Sequence, residues 1–227
     1  GSHMSMEMTI VSWGGAYSAS QLKAYHEPYS AKTGVTILND DSSSTAVAQL
    51  RAMNEANNIT WDVVDVEAAP AMQLCDEGLA LEIDPDTMLA PAPDGTPASE
   101  DFGDMLVSEC FIPQIVYSTT FGYRTDLVGD NPPDSVCAVF DTKTYPGKRS
   151  LFSVPINQME WALLCDGVAK SDIYDVLATE EGQDRALAKL DTIKGDVIWV
   201  SSGSDTPQLL ADGEVIMGAT YNGRLFS

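Results

Sequence analysis

Short apolar runs alternate with longer amphipathic stretches along this chain, and glycine, proline or serine clusters separate them. Residues 8–13 (MTIVSW) have the β-branched and aromatic content of a strand. Gly14 and Gly15 interrupt it, and residues 16–31 follow with helical spacing up to a stop at Gly34. The cycle then repeats. Residues 35–38 (VTIL) begin a second strand, the cluster Ser42–Thr45 can cap a helix running to about Asn57, and residues 61–66 (WDVVDV) predict a third strand. A short helix over residues 71–76, closed by Gly78, completes the unit. Strands that alternate with helices of this length predict a parallel sheet covered on both faces.

The next stretch, from Asp84 to Gly103, holds Pro85, Pro91, Pro93, Gly95 and Pro97 and reads as a long surface loop or weak helix. A long strand is expected over residues 111–123, where β-branched and aromatic residues dominate. Proline and glycine loops follow at 131–133 and 145–147. The second half then predicts a strand at 151–154, a helix at 158–168 and one or two helices within 172–194. It ends with a strand at 196–200, a short helix at 206–211 and a strand at 214–220. Two α/β halves with a crossing strand between them divide the chain into residues 7–114, a crossover at 115–125, and residues 126–227. Residues 1–6 read as a tag remnant, Gly1 to Met4, and a disordered start.

Charge narrows the partners. Twelve basic against 34 acidic residues give a formal net charge of −22, so nucleic acid and anionic lipid, which need a basic footprint, are not expected partners. Most of that charge is a solvated acidic coat, and a smaller part can concentrate cations. Four cysteines, Cys75, Cys110, Cys137 and Cys165, lack any Cys-x-x-Cys spacing, which argues against a zinc ribbon or a thioredoxin motif. At this point three disulfide pairings, or four free thiols, remain open.

Ligands of parallel α/β sheets lie beyond the carboxyl ends of the strands. Trp13 ends the first strand and Tyr17 follows four residues later. Asp65 and Glu67 end the third with equal parity, which points both to one side, while Trp199 and Tyr221 end strands of the second half. Aromatic faces and carboxylates together suit an organic cation, although Asp65 and Glu67 can equally cap the next helix. Catalytic patterns are weak by comparison. Outside the tag His26 is the one histidine, expected on a helix surface, and there is no Gly-x-Ser-x-Gly elbow, phosphate loop or dinucleotide fingerprint. No cofactor or metal is expected.

Six stretches occur in an order that resembles the polyamine-binding (spermidine/putrescine) group of periplasmic solute-binding proteins of ATP-driven (ABC) importers. They are residues 11–17 (VSWGGAY), 61–64 (WDVV), 75–78 (CDEG), 115–118 (IVYS), 145–149 (YPGKR) and 213–224 (GEVIMGATYNGR). The resemblance implies a two-lobed α/β architecture of type II with parallel-rich sheets and a hinge. It also implies a periplasmic, non-enzymatic receptor whose signal peptide has been removed, and delivery of a small cationic ligand, a polyamine first, to a membrane permease. By the same resemblance Trp13 and Tyr17 match an aromatic pair, Glu67 a polar contact, Asn157 and Glu160 an acidic pair that grips amines, and Trp199 and Tyr221 further ligand walls. Cys75–Cys110 and Cys137–Cys165, each within one lobe, are the expected disulfides.

Departures from the family pattern qualify the ligand. Asn157 replaces a carboxylate, Ala69 stands where an aromatic wall is common, and Arg224 stands where an acid would suit a dication better. A receptor for another small amine or amino-acid-like solute is therefore the alternative, and a hydrolase or lyase on a two-lobed scaffold is a remote one. The family continues well beyond residue 227, so the carboxy-terminal third is expected to be missing. The sheet edge left unpaired is expected to promote swapping or dimerisation.

Overall fold

The computed structural model describes residues 6–226. Of the stretch read as tag remnant and disordered start, all but Met6 lies outside the described residues. The chain divides into two compact units, one ending at Ile115 and the other beginning at Val116.

The first unit contains β1 (Glu7–Val11), α1 (Gly15–Gln21), α2 (Glu27–Thr33), β2 (Thr36–Asp40), α3 (Ala46–Glu55), β3 (Val63–Val64) and α4 (Ala68–Asp76). Two short helices, α5 (Pro85–Met88) and α6 (Ala98–Phe102), then occupy the proline-rich stretch. The strands form one parallel sheet in the order β2-β1-β3, with Val11 beside Asp40 on one side and Val64 on the other. Val11, Leu50, Trp61 and Leu74 bury their side chains in its core. Gly34 ends α2 in the left-handed conformation (φ 76°) that glycine adopts without a Cβ clash, as the helix-stop signal predicts.

Three expectations for this unit change. The third strand shortens to Val63–Val64, because the Asp62 carboxylate accepts the Thr9 N–H and takes a place in the ladder that a backbone carbonyl would hold. The long strand expected over 111–123 shrinks to β4 (Thr119–Tyr123), which pairs within the second unit. Pro113 has no N–H to offer a ladder, and β-rich composition alone supplies no partner strand. His26 is not a surface residue but is 3% exposed, because Leu22–His26 forms a π-turn between α1 and α2. Buried Ser18 and Gln21 would be followed on a regular helix by Tyr25. The wider turn adds one residue per repeat, so His26 faces inward and Tyr25 is 53% exposed.

The second unit contains β4, β5 (Arg149–Phe152), α7 (Gln158–Cys165), α8 (Ile173–Leu177), α9 (Glu180–Asp191), β6 (Val197–Val200), α10 (Asp205–Ala211), β7 (Met217–Tyr221) and α11 (Asn222–Phe226). Its sheet order is β4-β7-β5-β6. All neighbours are parallel except β4, which runs antiparallel to β7. Arg149 is fully buried and takes part in no ion pair among the described residues. Its guanidinium donates to the carbonyls of Val139 (2.8 Å), Tyr145 (3.0 Å), Gly147 (2.6 Å) and Ala138 (3.2 Å), pinning the 138–147 segment to the sheet. Burial lowers the pKa of this group, against the opposing pull of Asp196 and Asp141. The disulfides Cys75–Cys110 and Cys137–Cys165 close one loop in each unit, as expected.

Candidate functional site

The chain of the first unit runs from β1 to β2 on one side and then crosses to β3 on the other side of β1, so its sheet reverses strand order at β1. Above such a reversal the connections diverge and leave room for side chains beyond the carboxyl ends of the strands. The register sets what stands there. Val11 pairs with Asp40 and Val64, so Ser12, Asp41 and Asp65 follow side by side. The Ser12 N–H donates to Asp40 O (2.7 Å), and the Asp65 N–H donates to Val11 O (2.9 Å).

Gly14 makes the turn into α1 at φ 78°, where a side chain would be strained and its Cβ would come 3.4 Å from Asp41 Oδ2. Ser18 Oγ locks the turn, accepting from the Gly14 N–H (2.8 Å) and donating to Asp41 Oδ1 (2.7 Å). The helix then places Tyr17 and Gln21, four residues apart, over one another. Both reach Asp65. The Tyr17 hydroxyl lies 2.6 Å from Asp65 Oδ2, Gln21 Nε2 donates to the same oxygen (3.0 Å), and Trp13 Nε1 donates to Oδ1 (3.3 Å). The Ser43 hydroxyl donates to the Asp65 backbone carbonyl (2.5 Å).

Asp65 is thus half-buried, held by three neutral donors, and takes part in no ion pair among the described residues. A carboxylate of this kind has lone pairs to spare for a cation. Burial first, and the bond to Asp65 second, push the Tyr17 pKa well above the ordinary tyrosine value, so its hydroxyl keeps its proton. Glu67 takes the N-cap position of α4, where its backbone carbonyl accepts the Ala71 N–H (3.0 Å) and its side chain makes no capping bond. The alternation of side chains expected to align it with Asp65 ends with β3 at Val64.

In the second unit Tyr221 ends β7 and stacks on Phe152 at the end of β5 (centroids 5.3 Å apart), while Tyr117 meets it edge-on (5.4 Å). Gly203 accommodates this cluster, since a Cβ there would lie 2.8 Å from the Tyr221 ring and 3.4 Å from Arg224 Nε. Trp199 lies within β6, is 47% exposed, and makes no ring contact with Tyr221 among the described residues. Asn157 precedes α7 at φ 72°, a left-handed conformation rarely held by a non-glycine residue. Among the described residues, Oε2 of Glu160, in the first turn of α7, and Oε1 of Gln158 are buried and have no hydrogen-bond partner. Buried acceptors left unpaired cost about 1–3 kcal/mol each, so a donor that reached them would be held firmly.

Sequence reasoning missed Gln21, Gln114, Phe152 and Gln158. Gln21 carried a faint signal, its spacing of four from Tyr17. Gln114 carried none, since a neutral amide in an irregular stretch looks like any loop residue. Among the described residues no group of three or more His, Cys, Asp or Glu side chains could hold a metal ion, and no helix is long and apolar enough to cross a membrane.

A family model described as bacterial extracellular solute-binding protein matches residues 24–227. Over 221 residues the chain is 37% identical to the gamma-aminobutyric acid-binding protein of Pseudomonas aeruginosa, a match covering 97% of this chain and 60% of that protein. Among solved structures it is similar to the PBP MotA from A. tumefaciens B6 in complex with glucopine. That match has 33% identity and a TM-score of 0.82, and covers 97% of this chain and 65% of the other. It is also similar to the Atu4243-GABA receptor, with 35% identity and a TM-score of 0.77 over 97% of this chain and 64% of that one. The chain therefore spans about 60% of the curated relative's length. The matched structures bear out the α/β periplasmic-binding-protein fold class. These relatives are named for gamma-aminobutyric acid or glucopine, so the polyamine subdivision expected from the sequence does not follow from them.

Proposed function

Because this chain belongs to the bacterial extracellular solute-binding proteins, we propose that it captures a small amine that also carries a carboxylate, of the gamma-aminobutyric acid type, for delivery to an ATP-driven (ABC) importer. The observation that carries the amine half of this reading is Asp65, a half-buried carboxylate held by Trp13, Tyr17 and Gln21 with no cationic partner among the described residues. Such a group stabilises an ammonium through a charge-assisted hydrogen bond, and the Trp13 and Tyr17 rings add cation–π attraction. Glu160, with its unpartnered oxygen, is a second candidate contact for an amine.

In the second unit, taken by itself, Arg224 favours a solute that carries a carboxylate. It follows β7 close to Tyr221 and Gly203, where a guanidinium repels the second ammonium of a diamine but pairs with a carboxylate. Relatives named for gamma-aminobutyric acid favour the same solute class over a polyamine. Within the second unit Tyr221 and Phe152 are proposed as apolar ligand walls, and Asn157 and Trp199 there, like Glu67 in the first unit, are lesser candidates for contact.

Calorimetric titration with gamma-aminobutyric acid, putrescine and spermidine tests this reading. Stoichiometric binding of the amino acid, with the diamine and triamine at least tenfold weaker, is expected. Tighter binding of either polyamine would overturn it.

A further inference from the structure

Around Asp65 the hydrogens can be counted. The Tyr17 hydroxyl lies 2.6 Å from Asp65 Oδ2 and 2.7 Å from Gln114 Oε1, yet it has one proton and can serve only one of them at a time. That proton is not lost to solvent, since burial and Asp65 hold the phenol neutral. Gln21 cannot make up the shortfall. Its Nε2 already donates to Asp65 Oδ2 (3.0 Å) and Gln114 Oε1 (3.3 Å), and its Oε1 is occupied by the Ser12 hydroxyl. The cluster therefore holds two carboxylate oxygens, an amide oxygen and a phenolic oxygen against the N–H of Trp13, the O–H of Tyr17 and the two hydrogens of Gln21. Four oxygens face four hydrogens, but the Trp13 and Gln21 hydrogens do not lie between the oxygens around Tyr17, so its two close oxygen–oxygen contacts, to Asp65 Oδ2 and Gln114 Oε1, share a single proton.

A primary ammonium has three N–H donors and one charge, which fits that deficit. We propose that Gln114 is a ligand-contacting residue of the amine site at Asp65, and that the shared Tyr17 proton makes this site select a primary ammonium over its N-methylated forms. The proposal rests on the amine-receptor reading above. An arriving ammonium donates to Asp65 and to Gln114 Oε1, so Tyr17 no longer divides one hydrogen between them. Each methyl on the nitrogen removes one donor, and a trimethylammonium leaves every acceptor as it was. Gln114 is exposed and lies in the irregular stretch before β4, so its side chain has no part in a core.

The test titrates gamma-aminobutyric acid and its N-methyl and N-trimethyl analogues into the wild-type protein, Gln114→Ala and Gln114→Glu. The wild type is expected to bind the primary amine at least about tenfold more tightly than the trimethyl analogue, the worth of one hydrogen bond to a charged group. Gln114→Ala should weaken the primary amine about tenfold and the trimethyl analogue less than twofold, while Gln114→Glu, which keeps an acceptor, retains the preference. Equal loss for both ligands in Gln114→Ala, or no loss for either, overturns the assignment of Gln114 while the receptor reading stands. A wild type that binds neither form overturns both. An unchanged melting temperature in ligand-free Gln114→Ala is expected, and a drop of several degrees would mark the residue as structural instead.

Discussion

Gln21 Nε2 lies 3.0 Å from Asp65 Oδ2, while the oxygen of the same amide accepts the buried Ser12 hydroxyl. Ser12 therefore decides which end of the amide meets the carboxylate, although it does not touch Asp65 itself. Ser12→Ala leaves the amide free to turn its oxygen toward Asp65, where two acceptors would repel. Affinity for gamma-aminobutyric acid should fall several-fold in Ser12→Ala and at least about tenfold in Asp65→Asn, which removes the charge itself. Calorimetric titration reads both, and an Asp65→Asn protein with wild-type affinity would exclude Asp65 from the site.

Arg149 should be among the most sensitive residues of the second unit. Arg149→Met fills a similar volume but leaves the carbonyls of Val139, Ala138, Tyr145 and Gly147 without their donor in a buried place. A loss of about 3–5 kcal/mol is expected from denaturant unfolding of the second unit. A loss under 1 kcal/mol would mean that water replaces the guanidinium.

Gly182 lets α9 pass against the end of α8. A Cβ there would lie 1.9 Å from the Val176 carbonyl oxygen, a backbone atom that cannot rotate away. Gly182→Ala should cost about 2–4 kcal/mol despite the better helix propensity of alanine, because the two helices must separate. Unfolding midpoints of the two proteins settle this, and a stabilised variant would contradict the packing.

Tyr17 makes stability depend on alkaline pH. Its folded-state pKa is raised above the ordinary 10.0, by burial first and the Asp65 bond second. Its contribution is therefore complete below pH 10 and is lost as pH rises toward the folded value, since the unfolded chain ionises first. The decline of the unfolding midpoint above pH 10 should be shallower in Tyr17→Phe than in the wild type. Identical slopes would show that Tyr17 ionises normally.

Local pattern was enough for much of the fold. Period-two apolar runs, helical spacing and stops such as Gly34 act within a few residues, so the alternation of strands and helices and the two α/β halves could be read from sequence order alone. Trp13, Tyr17 and Asp65 could be placed at one end of a sheet for the same reason, because strand ends locate the residues that follow them. Strand length could not be read this way, since a ladder needs a partner: 111–118 stays irregular and β4 begins where β7 runs alongside. Nor could the inward turn of His26, which depends on one π-turn between α1 and α2. Gln114 joins Tyr17 across 97 positions of sequence, and Gln21 joins Asp65 across 44. Neutral amides have no compositional signature, and their role comes from the donors and acceptors that folding brings within hydrogen-bonding distance. The sequence by itself determined which segments become strands and helices, because those choices rest on local sterics and burial period. The tertiary structure alone decided which polar groups share protons, because that rests on distances between residues far apart in the chain.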